Sequence, residues 1–411
     1  MLAVNSDRLR SRMNAMAEIG ALPNGGVRRL ALTDEDKRGR ELFLSWCRQA
    51  GLDVTIDQMG SVFARKKATV ATYGPQPVVL TGSHLDSQPS GGRFDGVLGV
   101  LAALEVVEVI IENNISHRND IEIVSWTNEE GARFAPAMVA SGVYGGAFSL
   151  DYALDRTDAM GISIRDELKR IGFDGDRPAQ FDPQHPVKAY IELHIEQGPV
   201  LEQSEALIGV VTGVQGIRWF DVSIRGRETH AGPTPMALRN DPVLALGRLI
   251  PRLYAMAADY GDEARLTIGM LTAQPGSRNT VPGMVQFSVD IRHPLTDSLQ
   301  AMHQQVMQLC RGDGIHCREI WSSPPVHFDR TCVNAVEMAA KQWGYPAQTI
   351  VSGAGHDAVY VSRVAPTAMI FIPCKDGISH NEAEYASDDQ VTAGANVLLT
   401  TLLNLSEADY G

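Results

Sequence analysis

The chain has 411 residues, 44% of them hydrophobic and 21% charged, and a formal net charge of −13. That length suits two domains rather than one, and the composition is that of a globular protein rather than a disordered or fibrous one. The acidic balance argues against nucleic acid and anionic membrane surfaces as partners, while local arginines could still hold a small anion.

The five cysteines (Cys47, Cys310, Cys317, Cys332, Cys374) are odd in number and show no C-x-x-C spacing. A disulfide framework or structural zinc site is therefore not expected, and a reducing compartment is. Met1 to Met16 carries arginines throughout and no apolar core, so no signal peptide is read there. No run approaches the length of a membrane span. The expected location is the cytoplasm.

In chain order, residues 1–75 read as a helical opening segment. Thr33 with Asp36 is a capping-box-like start, and Leu42, Phe43, Trp46 and Cys47 give the run from Glu35 to Gln49 a helical period, with Gly51 as its stop. Val54 to Phe63 alternates weakly, as paired strands would. Val78 to Thr81 is a buried strand with His84 at its end, and Gly96 to Ile111 is apolar enough for a buried helix. Ile121 to Trp126 is a strand followed by Asn128-Glu129-Glu130-Gly131. Val187 to Leu193 is another, ending at His194, and Thr367 to Pro373 another, with His380 beyond it. Strand, ligand-type residue, then loop or helix thus recurs four times. In open α/β sheets, sites form beyond the carboxyl ends of strands.

Between these lies a different order. Trp219 to Ile224, a helix from Asp241 to Tyr260, strands at Leu266 to Leu271 and Val285 to Ile291, a helix from Asp297 to Cys310 and a strand from Ile315 to Trp321 make a βαββαβ unit. That is the ferredoxin-like arrangement. The expectation is an α/β domain of residues 1–211 and 330–411, interrupted by an α+β domain at 212–329.

The chemistry concentrates in TGSHLDSQPSGGRFDGVLG, Thr81 to Gly99. A metal-ligating histidine usually gives its second ring N–H to a supporting group. Asp86, two residues from His84 on an extended segment, lies on the same side and suits that support. Asp95, between Gly91-Gly92 and Gly96, is a carboxylate placed where two cations could share it. The adjacent Glu129 and Glu130 repel each other unless a cation or proton intervenes. One could hold metal while its neighbour serves as general base. Each of these residues, and His194 and His380 likewise, also fits a structural role alone. Three histidines with three to four carboxylates at successive strand ends fit metal far better. Nitrogen and carboxylate ligands suit zinc, with manganese, cobalt or nickel as alternatives.

The motifs GSHLDS, GGRFDG, TNEEGARF, ELHIEQG, THAGPTPM and GISHNEAE together resemble those of the M20 metallopeptidase family. The likeness is to its amidase (hydantoinase/carbamoylase) branch, and runs from about Gly25 to Leu405. That branch includes N-carbamoyl-L-amino-acid hydrolases, yeast-type β-alanine synthase (β-ureidopropionase) and allantoate amidohydrolases. The resemblance implies a zinc-peptidase-like α/β catalytic domain with a ferredoxin-like lid and dimerisation domain, working as a homodimer. It implies two divalent ions per subunit, one held by His84, Asp95 and His194, the other by Asp95, Glu130 and His380. Glu129 would be the general acid/base and Asp86 the support of His84. The family's peptidases commonly carry a carboxylate where His194 stands, so HIEQG favours the amidohydrolase branch.

In the inserted domain, His230 matches a histidine that reaches the partner subunit's site and stabilises an oxyanion. Asn279 and Arg292 match substrate-binding positions, Arg292 as a carboxylate clamp. Arg292 paired to Asp290 at a sheet edge is the equal alternative from the residues alone. Arg218 resembles allantoate amidohydrolases, whereas HLDSQP, VVTGVQG and FIPCKDGISHNEAEY resemble yeast-type β-alanine synthase. His356 and Asp357, in SGAGHD, are read as structural. The implied activity is hydrolysis of the carbamoyl C–N bond of N-carbamoyl-β-alanine or N-carbamoyl-L-amino acids to amino acid, ammonia and carbon dioxide. Allantoate is the alternative substrate. An M20 acylase or peptidase and a non-catalytic binding protein are the more distant readings.

Overall fold

The apolar runs that precede ligand-type residues form adjacent parallel strands of one sheet. The structure, a computed structural model, describes residues 1–70 and 77–407. Positions 71–75 of the expected helical opening segment lie outside the described residues. The chain divides into two units, Met1–Thr212 with Phe328–Gly411, and Gly213–His327. The cuts stand at 212 and 327 against expected ends of 211 and 329.

In the first unit the central strands run in the order Asp120–Trp126, Val78–His84, Val187–Ile195 and Thr367–Ile372, all parallel. Burial on both faces explains why they read as near-continuous Val, Ile and Leu. Their carboxyl ends therefore sit side by side, which is what gathers the histidines and carboxylates that follow them. Asp53–Ile56 and Val62–Lys66 extend one side as antiparallel strands. Ile208–Val214 pairs antiparallel with Thr367–Ile372 on the other.

Helices cover the sheet. Val97–Glu112 buries almost its whole length, including Leu98, Leu101 and Leu104. It packs against both Val78–His84 and the helix Asp388–Leu405. The latter opens with a complete capping box between Ser387 and Gln390. The helix Asp34–Gln49 is capped by Thr33, which accepts from the Asp36 N–H. The Asp36 carboxylate turns back to the Leu32 N–H rather than to Thr33.

The second unit is an antiparallel sheet with strand order Leu271–Gln274, Met284–His293, Gly216–Arg225, Ile315–Ser323. Helices Pro242–Ala258 and Thr296–Leu309 cover one face. Phe220, Val222, Ile224, Phe287, Val289 and Ile291 alternate along two strands and meet Leu246, Leu249, Leu253, Met302 and Val306 of the helices. Each such fully buried side chain contributes about 1.5–3 kcal/mol. The expected strand at Leu266 to Leu271 is instead two short ones, Arg265–Thr267 and Leu271–Gln274, both pairing with Met284–His293.

Among the described residues no helix is long and apolar enough to cross a membrane. All five cysteines are free.

Candidate metal centre and active site

His84 ends its strand and is 1% exposed. Its Nδ1 lies 2.9 Å from the Asp86 carbonyl oxygen. His194 ends the neighbouring strand, with Nδ1 2.9 Å from the Ile195 carbonyl. A carbonyl can only accept, so each Nδ1 carries a hydrogen, and in the neutral imidazole each Nε2 keeps a lone pair. The Gly96 N–H, donating to His194 Nε2 at 3.2 Å, agrees with that tautomer. Gly96 itself has φ +66°, and a Cβ there would stand 2.4 Å from the His84 ring. The glycine is what lets the loop pass over the imidazole.

Both Nε2 atoms face Asp95 Oδ1, at 3.4 Å from His84 and 3.0 Å from His194. Asp95 Oδ2 lies 3.3 Å from His380 Nε2, which is also 3.3 Å from Glu130 Oε2. Two trios result, His84–Asp95–His194 and Asp95–Glu130–His380, each with donor atoms within 4.8 Å of one another. Asp95 belongs to both. Lone pairs of His84 and His194 pointing at a carboxylate oxygen repel it unless a cation or proton lies between. The donor set therefore fits two cations sharing one carboxylate.

The electrostatics agree. Burial alone would push the His84 imidazole down, but Glu129, Asp95 and Asp86 raise it well above the usual histidine range. Asp95 raises His380 to about 9. Burial, with Asp95 adding, pushes Glu130 up to about 7. Burial likewise lifts Glu129 well above the carboxylate range, His84 opposing and Asp357 and Glu130 adding. Carboxylates and imidazoles crowded in this way share protons or take up a cation.

Glu129 points into the same space, its Oε2 3.5 Å from His84 Nε2. Asn128, in the left-handed conformation at φ +56°, turns the chain after the strand so that two consecutive glutamates follow. Asp86 supports this loop rather than His84 with its carboxylate. Its oxygens accept from the Glu129 and Glu130 N–H groups, both at 3.2 Å, while Oδ1 stays 3.9 Å from His84 Nδ1. The expected aid to His84 comes from the Asp86 backbone instead.

Several further side chains contribute, to which the sequence pattern assigns no ligand or catalytic role. Gln88 donates to Glu130 Oε2 at 2.7 Å. Gln197 donates to Asp95 Oδ2 at 2.9 Å. His356 is buried, its ring 4.6 Å from that of His194 and its Nε2 3.0 Å from Ser352 Oγ. It buttresses His194, and burial and that neighbour hold it well below the usual histidine range. Asp357 is fully buried.

In the inserted unit, the strands Thr229–His230 and Thr280–Val281 pair with His230 opposite Thr280. The Ala231 N–H bonds the Asn279 carbonyl at 2.9 Å, so His230 and Asn279 share one end of the unit. Arg292 stands at the other. Along Met284–His293, roughly 27 Å separates Met284 from Arg292 at ~3.4 Å per residue, and the His230 hairpin continues beyond the Met284 end. Arg292 bonds Asp290 through Nε and Nη2, and Trp219 Nε1 donates to the same carboxylate at 3.0 Å.

Arg218, expected from the sequence among the substrate-binding residues, already has partners within the unit. It faces the helix-covered side of the sheet, as Phe220 and Val222 do, and bonds Glu319 at 2.8 Å and Gln300 at 2.7 Å. Arg292 lies on the opposite face with Asp290. Strand alternation separates them, so Arg218 is ion-paired to Glu319 on one face of the sheet and does not share a face with Arg292.

Residues 80–404 match the peptidase family M20/M25/M40. An N-carbamoyl-L-amino-acid amidohydrolase of Rhizobium meliloti is 45% identical over 98% of this chain and 97% of its own length. An allantoate amidohydrolase of Bacillus subtilis is 36% identical over 95% of each. The crystal structure of an amidase of the hydantoinase/carbamoylase family from Burkholderia multivorans superposes with a TM-score of 0.92, at 48% identity over 98% of each chain. With its fold, its paired histidine–carboxylate trios and these likenesses, the chain belongs to the M20/M25/M40 peptidase family and resembles its hydantoinase/carbamoylase amidases.

Proposed function

We infer that this protein is a metal-dependent amidohydrolase that cleaves the carbamoyl C–N bond of N-carbamoyl-L-amino acids or N-carbamoyl-β-alanine. The products are the amino acid, ammonia and carbon dioxide. The observation that carries the reading is Asp95 shared between two histidine-containing trios, with the Glu129 carboxylate beside them. Similarity to the Rhizobium meliloti enzyme supports the substrate class. Allantoate is the second reading, supported by the Bacillus subtilis relative. Its other ground, Arg218, is weakened by the bonds to Glu319 and Gln300.

His84, Asp95 and His194 would hold one divalent ion, and Asp95, Glu130 and His380 a second, zinc first, with manganese, cobalt or nickel also compatible. Such ions, when bound, polarise the carbamoyl oxygen and acidify water. Glu129 takes the proton from the attacking water and returns it to the leaving nitrogen, a role suited to a buried carboxyl whose proton affinity is raised. His230 donates to the carbamoyl oxygen as charge develops there. Arg292 and Asn279 orient the substrate's carboxylate, Arg292 held in place by Asp290.

A homodimer through the inserted unit is part of this reading, and that unit's dimensions support it. An N-carbamoyl amino acid is on the order of 10 Å long, so it does not bridge His230 and Arg292 of one chain. Two copies contributing opposite ends would serve one site. Five free cysteines suit the cytoplasm.

The test is ammonia release from N-carbamoyl-L-amino acids, N-carbamoyl-β-alanine and allantoate, with dipeptides and N-acetyl amino acids as controls. Turnover of a carbamoyl amino acid alone is expected. Cleavage of dipeptides without ammonia release would overturn the reading.

A further inference from the structure

One buried carboxylate near the site has no part in the chemistry above. Glu384 is 3% exposed. Its Oε1 accepts from the backbone N–H groups of Phe94 at 2.9 Å and Asp95 at 3.0 Å. Its Oε2 accepts from the Ser379 hydroxyl at 2.8 Å. Ser379 precedes His380 directly. With its proton given to Glu384, Ser379 Oγ is left to accept from Gln197 Nε2 at 3.2 Å, and the same amide donates to Asp95 Oδ2 at 2.9 Å. One side chain thus ties the Asp95 loop to the His380 segment, which are far apart in sequence.

One glycine of GGRFDG, Gly92, answers to the same side chain. A Cβ at Gly92 would meet the Glu384 carboxylate at 2.0 Å. No residue but glycine leaves Glu384 where it is.

The other ligands are anchored differently. His84 and His194 hold to the Asp86 and Ile195 carbonyls. The Glu130 N–H is held by Asp86 and its Oε2 by Gln88. Of the His84–Asp95–His194 trio, only Asp95 depends on Glu384. Of the Asp95–Glu130–His380 trio, Asp95 does so through its own N–H and His380 through the preceding residue, Ser379.

We propose that Glu384 is the positioning residue that keeps Asp95 shared between the two trios, and that it governs the Asp95–Glu130–His380 site more than its neighbour. The inference rests on the two-ion reading and specifies how the second ion is kept. Losing a group that orients metal ligands commonly costs about 10–100-fold in metal affinity.

Metal binding to the purified full-length protein, by calorimetry and chelator competition with zinc and with manganese, reads this out without turnover. In Glu384→Ala one ion, the one that His380→Ala also loses, should bind about 10–100-fold less tightly and the other less than ~3-fold so. Glu384→Gln keeps an oxygen for the two N–H groups and should recover most of the loss. If Glu384→Ala does not fold, Gly92→Ala displaces the same carboxylate and should reproduce the selective loss. Equal weakening of both ions, or unchanged binding of both, overturns the proposal. A parent protein that takes up two ions while Glu384→Ala binds both as tightly removes this inference alone. A parent protein that takes up no second ion removes the two-ion reading with it.

Discussion

The two units carry functional residues in opposite ways. In the first, His84, Asp95 and His194 are almost fully buried, and each is fixed by a second contact to backbone or side chain. In the second, His230 is exposed on a two-residue strand, and Arg292 stands far along a different strand. The parallel sheet concentrates side chains from four distant segments at one edge. The antiparallel sheet spreads its own along its length. The lesson is that the first unit gathers the candidate ligands and Glu129 by itself, whereas the second keeps His230 and Arg292 apart, which is why the proposed function pools two copies.

The largest effect should separate chemistry from ligation. Glu129→Gln should lower kcat by about 10²–10⁴-fold while metal content, measured by elemental analysis, stays at the parent level. Loss of the ions with the activity would make Glu129 a ligand instead. Next, Asp95→Ala should release both ions and His84→Ala mainly one. If Asp95→Ala keeps one ion at full affinity, the shared-carboxylate geometry is wrong. A chelator should abolish turnover, and zinc or manganese should restore part of it.

On the inserted unit, His230→Ala should lower kcat by about 10²–10³-fold without loss of metal. Arg292→Lys keeps the charge but not the fork that matches a carboxylate. It should raise KM by about 10–100-fold, the equivalent of roughly 1.5–3 kcal/mol for a charged hydrogen bond, with a smaller change in kcat. The smallest effect is reserved for Arg218. Arg218→Met should leave KM within about 3-fold, because its bonds are to Glu319 and Gln300 and not to a ligand. Its cost should appear in Tm, on the order of 1 kcal/mol for a part-buried ion pair. A large KM change here would return Arg218 to the substrate.

Much of the first unit was legible because its strands are buried on both faces and its ligand residues follow them directly. His84, Glu129 and His194 stand at or just past a strand end, and His380 follows its strand after one short turn. Glu384 was not legible, because its partners Phe94 and Asp95 are local only in three dimensions. Asp86 was assigned to His84, and the structure gives its carboxylate hydrogen bonds from the Glu129 and Glu130 N–H groups, with Oδ1 3.9 Å from that histidine's Nδ1. Alternation predicts which side a side chain takes, not that its carboxylate bonds the N–H groups of a loop more than forty positions on. Arg218 could have been placed correctly. It shares parity with Phe220 and Val222, whose apolar side chains mark the covered face. The Leu266 to Leu271 strand broke because its apolar residues do not show that only its two ends pair with Met284–His293.

The division of labour between copies can be measured in one experiment. Glu129→Gln and His230→Ala chains, each nearly inactive alone, are unfolded together and refolded as a mixture, and ammonia release is compared with each variant treated alone. Random pairing gives half mixed dimers with one intact site in each, so roughly a quarter of the parent activity should return. If the mixture is no more active than the separate variants, His230 does not serve a second copy's Glu129, and the shared-site account fails.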